Sequence, residues 1–208
     1  MKIAVISANG RSGKAFVETA LQAGHVVRAG VYGRHDFPAQ GNLEIIQCDA
    51  TKINDLKRLI SDQEAVVSLI GHTKNTPKNV QTNAITNVVK SVGSTGVRIV
   101  SLTGTGVRFP GDRPSLIDRF LNFGIAQVDP ARIRDGIDHA DVLKKSNTNW
   151  TLLRVLKLGN GQAKKYQLTI TGPAKNLTSR QEVALAILEV LKSDKYIKKA
   201  PVISKNKR

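Results

Sequence analysis

Cysteine, methionine and tryptophan each occur once in this 208-residue sequence, and aromatic residues make up only 4% of it. A lone cysteine, Cys48, cannot close an internal disulfide, so nothing here asks for an oxidising compartment. With that one thiol and four scattered histidines, no spacing suits a bound metal. No stretch approaches the ~20 apolar residues that a membrane span needs. The start, Met1 to Ile6, resembles the beginning of a signal peptide, but Asn9, Arg11 and Lys14 interrupt the apolar run too soon for one. A cytoplasmic protein with no membrane partner is expected.

Acids are also scarce. Sixteen Asp and Glu stand against 32 Lys and Arg, for a net charge of +16, and residues 101–208 carry 20 of those 32 bases. Such a field favours anionic partners. Nucleic acid is disfavoured, because there are few aromatics to stack on bases and no recognised binding fingerprint. A phosphate-rich cofactor fits the charge, and the basic stretch Lys192 to Arg208 reads as a solvated tail.

What is present is a regular alternation. Hydrophobic residues form 40% of the chain, which suits one domain with a full-sized core. Lys2 to Ile6 reads as a buried strand, Ser12 to Ala23 as a helix closed by Gly24, and His25 to Tyr32 as a second strand. Strands follow at 43–48, 65–70, 97–102 and 150–155, with helices at 53–60, from Pro77 to about Ser94, at about 131–145 and at 179–191. Tyr166 to Thr171 reads as a short strand and Pro201 to Ile203 as a final edge strand. Near-continuous apolar strands alternating with helices predict a doubly wound parallel sheet of six to seven strands, a Rossmann-type α/β fold. Residues 1–103 form the expected dinucleotide-binding core. Residues 104–208 would add the acceptor pocket and a small C-terminal embellishment to the same domain, with 104–130, rich in Pro and Gly, the least regular part.

The loop Ser7-Ala8-Asn9-Gly10-Arg11-Ser12-Gly13 falls between the first strand and the first helix, where a dinucleotide loop belongs. Gly10 lets backbone approach a pyrophosphate, Gly13 lets helix and strand pack closely, and the helix N-terminus offers N–H groups to phosphate. After the second strand, Val31-Tyr32-Gly33-Arg34 holds no acid until Asp36. A carboxylate there would favour NADH, whereas Arg34, helped by Arg11, can pair with the 2′-phosphate of NADPH.

These residues resemble the atypical, extended-type short-chain dehydrogenases. More narrowly, the chain is similar to the NmrA-like and flavin reductase (biliverdin-IXβ reductase-like) group, whose loop reads G-x-x-G-x-x-G. Ser7 stands where that pattern has its first glycine. The likeness runs on through Ala20-Leu21-x-x-Gly24-His25-x-Val27, Cys48-Asp49-Ala50, Val66 to Gly71, Arg98 to Thr103, Trp150 to Arg154 and Thr178-Ser179-Arg180. The resemblance implies that Asp49 and Ala50 lie by the adenine, and that Ile70, Gly71 and His72 lie against its ribose and the pyrophosphate. It puts Thr103 near the nicotinamide, flanked by Val155, Leu156, Lys157 and Leu158.

Many short-chain dehydrogenases use a Tyr-x-x-x-Lys pair. Here the fourth residues after Tyr32, Tyr166 and Tyr196 are Asp36, Ile170 and Ala200, so that pair is missing. Direct hydride transfer from NADPH to a small acceptor such as a flavin or quinone needs no such pair, since solvent can supply the proton. Thr103 or Thr105 could orient the nicotinamide or the acceptor, and His139 could exchange a proton near neutral pH, against plainer readings as turn hydroxyls and a polar helix face. The alternative function is a non-catalytic NADP(H) sensor of the NmrA kind, which would take a protein partner. A sugar-nucleotide epimerase or dehydratase is disfavoured by the small C-terminal region.

Overall fold

A computed structural model describes residues 1–73 and 76–206. The first strand, β1 (Lys2–Ile6), leads into α1 (Arg11–Gln22), β2 (Val26–Val31), β3 (Leu43–Gln47), α2 (Ile53–Ile60), β4 (Ala65–Ser68), α3 (Val80–Val92) and β5 (Arg98–Gly104). The second half comprises α4 (Leu116–Val128), α5 (Pro130–Lys145), β6 (Asn149–Val155), β7 (Leu158–Gly159), β8 (Tyr166–Thr169), β9 (Thr178–Ser179), α6 (Arg180–Leu191), a 3₁₀ turn at Asp194–Tyr196 and β10 (Val202–Lys205).

The main sheet has eight strands in the order β3-β2-β1-β4-β5-β6-β10-β8. All neighbours run parallel except β8, which pairs antiparallel with β10. The expected six to seven strands thus become eight, with a separate two-stranded ribbon of β7 and β9. Strand β10 is an inner strand rather than the expected edge, because β8 covers its outer side. Part of the supposed basic tail is therefore built into the sheet. Val202, Ile203 and Ser204 are buried, while the last two residues of that tail lie outside the described residues.

Helices cover both faces. One core packs α1 and α6 over Ile3, Val5, Val27, Val67 and Val100; the other packs α2, α3 and α5 over Ala4, Ile6, Val66, Ile99 and Leu152. Alternate residues of β1 thus enter opposite cores, and this explains its unbroken apolar sequence. Pro77 lies before α3 rather than inside its first turn, and α3 starts at Val80.

The loosely read stretch 104–130 contains a full helix, α4, whose Ser115 hydroxyl caps the Asp118 N–H at 3.2 Å. Arg154 of β6, buried to within 1%, secures the loop before it. Its guanidinium forks onto Asp112 at 2.5 and 2.9 Å and also donates to the carbonyls of Val107, Ile170 and Ala200. One buried cation with its carboxylate therefore ties the loop to β8 and to the approach to β10.

Strand order reverses direction between β1 and β4. Their following helices leave to opposite faces, so a crevice opens at the carboxyl ends of these strands. Ile6 pairs with both Gly30 and Ser68, so β1, β2 and β4 end nearly level beneath it.

Candidate functional site

The floor of the crevice is the β1–α1 loop. The Ala8 N–H bonds to the Gly30 carbonyl of β2 at 2.9 Å, and the Gly10 N–H turns back to the Ser7 carbonyl at 3.0 Å. A Cβ on Gly13 would run into the Ser7 carbonyl oxygen and come within 2.5 Å of that of Ala8. Only glycine lets α1 sit this close to the strand. A Cβ on Gly10 would crowd the Ser7 carbonyl and hydroxyl at 3.2 Å. Among the described residues no side chain caps α1, and its first turn holds no acid, so the N–H groups of Arg11, Ser12 and Gly13 open the helix toward the crevice. A pyrophosphate fits this cradle by shape and by charge.

Asn9 does something the sequence did not reveal. Its Nδ2 donates to the carbonyls of Tyr32 and Arg34, both at 2.9 Å, which pins the loop after β2 to the phosphate loop. Arg34 itself is exposed, and among the described residues its guanidinium has no partner. Asp36, the first acid after β2, is held by Lys14 of α1 at 2.7 Å, and that hydrogen bond keeps its carboxyl below the usual range. The first acid after β2 is thus already engaged.

Asp49 and Ala50 follow β3. Asp49 Oδ1 accepts from the Thr51 N–H and hydroxyl at 2.9 and 2.7 Å, and Asn87 of α3 holds the carbonyls of Ala50 and Thr51. Ile70, Gly71 and His72 follow β4, with the Ile70 carbonyl held by Gln81 Nε2 at 2.8 Å. Behind them is a residue missed in the sequence. Asp135, on α5 and almost fully buried, accepts from the Gln81 and Thr82 N–H groups, both at 2.9 Å, and from the Thr82 hydroxyl at 2.5 Å. It caps α3 from another helix. His72 Nε2 also approaches it at 3.0 Å, though not in line for a hydrogen bond. Only the three-dimensional packing of α5 on α3 could reveal this.

At the opposite end of the crevice, the expected catalytic side chains are drawn inward. Gly136 of α5 packs directly on the end of β5; a Cβ there would lie 3.1 Å from Thr103 Oγ1. Thr103 is accordingly buried beneath α5. The Thr105 hydroxyl is buried and accepts from Asn122 of α4 at 3.2 Å, so it anchors a helix. His139, read as a catalytic group or a polar surface residue, is buried. It is sealed in the interior, its ring nitrogens have no hydrogen-bond partner among the described residues, and burial pushes its pKa down to about 4. A helix face that carries Asp138 and Asp141 outward turns His139 inward with Ala140 and Leu143. Val155 ends β6 as a buried residue whose carbonyl accepts from the Thr105 N–H, and Leu156 beyond it is half-buried.

No tyrosine takes the vacant role. Tyr32 is exposed after β2, Tyr166 lies in the edge strand β8, and the Tyr196 carbonyl bonds Thr151 near the start of β6, away from the crevice. Cys48 is buried, which pushes its thiol up to about 12 and leaves it inert.

One further cation belongs to the site. Arg180 opens α6, which packs along α1, and the charge of Arg11 adds to burial in lowering its pKa. It donates to Asn160 Oδ1 at 2.5 Å, while its buried Nε has no partner among the described residues. The sequence marked this position only as part of Thr178-Ser179-Arg180, without a role.

A doubly wound sheet, a glycine-lined phosphate cradle at the strand-order reversal and flanking arginines together define a dinucleotide-binding α/β protein. A profile of the NAD(P)H-binding family matches residues 7–194, and the chain belongs to that family. This agrees with the resemblance to atypical short-chain dehydrogenases. Among solved structures it is similar to a candidate NADH-flavin reductase of Streptococcus pneumoniae TIGR4, at 23% identity over 99% of this chain and 100% of that one, with a TM-score of 0.80. It is also similar to a wide-type short-chain dehydrogenase/reductase of Veillonella parvula in complex with NADP, at 17% identity over 98% and 94%, with a TM-score of 0.81. The oxidoreductase ylbE of Lactococcus lactis matches at 17% identity over 100% and 92%, with a TM-score of 0.82. At these identities the likeness establishes the fold.

Proposed function

We propose that the protein is an NADPH-dependent reductase that passes hydride to a small acceptor such as a flavin or quinone. The observation that carries the reading is the cradle: Gly13 has no room for a Cβ and Gly10 little, the α1 N-terminus has neither a side-chain cap nor a first-turn acid among the described residues, and the positive charges of Arg11 and Arg180 bear on one another. NADPH over NADH is supported by the engaged Asp36 and by an Arg34 guanidinium that has no partner among the described residues. The solved relatives described as an NADH-flavin reductase and as an NADP complex agree in kind.

The bound dinucleotide would supply the hydride. The chain's own residues hold it: the α1 N–H groups and the two arginines at the pyrophosphate, Arg34 at the 2′-phosphate, and Asp49, Ala50, Ile70 and Gly71 along the adenosine. With Thr103, Thr105 and His139 buried, protonation of the reduced acceptor falls to solvent, which flavins and quinones allow.

The same burial favours a second reading, a sensor that binds NADP(H) without turnover. NADPH oxidation followed by absorbance against a panel of flavins and quinones separates the two. Turnover with at least one acceptor is expected. Tight binding with no turnover against the whole panel would replace the reductase with the sensor.

A further inference from the structure

Helix α4 is built with its polar side inward. Its one fully buried residue is Asp118, which accepts from Arg108 Nη2 at 2.5 Å and from Asn122 Nδ2 at 2.7 Å, and Asn122 reaches on to Thr105. Most of its large apolar residues point out, while Leu121 and Ile125 are half-buried. Leu116 is 82% exposed, Phe120 76%, Phe123 65% and Val128 87%, with Ile117 beside them. Leu116, Phe120 and Phe123 recur at helical spacing, so they form one stripe. Polar contacts, with half-buried Leu121 and Ile125, hold this helix to the body while two phenylalanines face solvent, an arrangement that burial within the monomer does not explain.

The unpaired charge around the stripe is mostly positive. Arg119 lies one turn from both Leu116 and Phe123, and exposed Arg113 and Arg132 stand near the two ends of the helix. The acids nearby are mostly engaged: Asp112 with Arg154, Asp118 with Arg108, Asp138 with Arg134, and Asp135 inside the α3 cap. Asp129 caps α5. A second copy docked here would meet the same arginines with few carboxylates left to pair them.

We infer that α4 is an interfacial helix that docks the protein on an anionic phospholipid bilayer. Its apolar stripe enters the acyl boundary while Arg113, Arg119 and Arg132 meet the phosphates, drawn in by the net charge of +16. Thirteen residues make a helix of about 20 Å, too short to span but long enough to lie flat. Among the described residues no helix is long and apolar enough to cross a membrane, and this does not bear on a helix lying in the interface.

Sedimentation of the full chain with vesicles of phosphatidylglycerol and phosphatidylcholine, and with phosphatidylcholine alone, tests the inference. Binding is expected to the anionic vesicles only, to weaken in high salt, and to fall about tenfold or more in Phe120→Ser/Phe123→Ser and clearly in Arg119→Glu. Far-ultraviolet circular dichroism and NADPH binding serve as controls, since none of these residues lines the cofactor crevice. Failure to bind anionic vesicles would overturn the inference, as would undiminished binding by the folded double variant. A dimer in light scattering that dissolves in the double variant, without lipid binding, would assign the stripe to a second copy instead.

Discussion

Ser7 holds a backbone conformation that its side chain disfavours. Its φ of 61° lies in the left-handed region, where the related loop pattern has glycine, so the chain keeps the turn and carries the strain. Ser7→Gly is expected to raise stability by about 1 kcal/mol, read from urea denaturation, because no Cβ then opposes the turn. A destabilised variant would mean that the serine hydroxyl contributes more than its backbone costs. Gly13 was legible in the sequence because its constraint is local: two carbonyls of the same loop leave no room for a side chain. Asn9 was legible only as one of the cofactor-binding residues of the dinucleotide loop. Its bonds to Tyr32 and Arg34 depend on where the next loop lies, and local spacing does not encode that.

At the level of elements, strands with both faces buried announced themselves as apolar runs, and α1 and α6 by their spacing. Helix α4 did not, because the usual rule that apolar residues mark the inward face is reversed there by Asp118 and Asn122. Helix α5 misled differently. The string Asp138-His139-Ala140-Asp141 looks solvated, yet one turn of helix sends both aspartates outward and His139 into the core. That placement has a consequence for acid stability. The folded-state pKa of about 4 lies below the ordinary 6.5, so between these values the unfolded chain binds the extra proton. The stabilisation is complete above pH 6.5 and is lost as pH falls toward 4, by about 3 kcal/mol at most. Urea midpoints for the protein should therefore drop between pH 7 and pH 4.5, and less steeply for His139→Leu. Equal slopes would mean that His139 reaches solvent or a partner when protonated.

For the whole molecule, the sheet decides where chemistry can occur. Carboxyl ends gathered at the β1–β4 reversal bring together loops far apart in sequence, from Gly10 to Arg34, Gly71 and Arg180, under a field of +16 that attracts a multiply charged anion. Fold class and phosphate loop were legible from the order of elements alone. The acceptor side was not, because it is shaped by α4, α5 and the Arg154 anchor, whose contacts span 40 residues and more. The central claim is that this crevice binds NADPH through its phosphates. Isothermal titration of NADPH and NADH into the protein and into Arg34→Ala tests it most directly. NADPH should bind more tightly than NADH, and Arg34→Ala should lose about tenfold or more for NADPH with little change for NADH. Equal losses for both would remove Arg34 from the 2′-phosphate, and no binding of either dinucleotide would make the cradle a structural turn and the claim wrong.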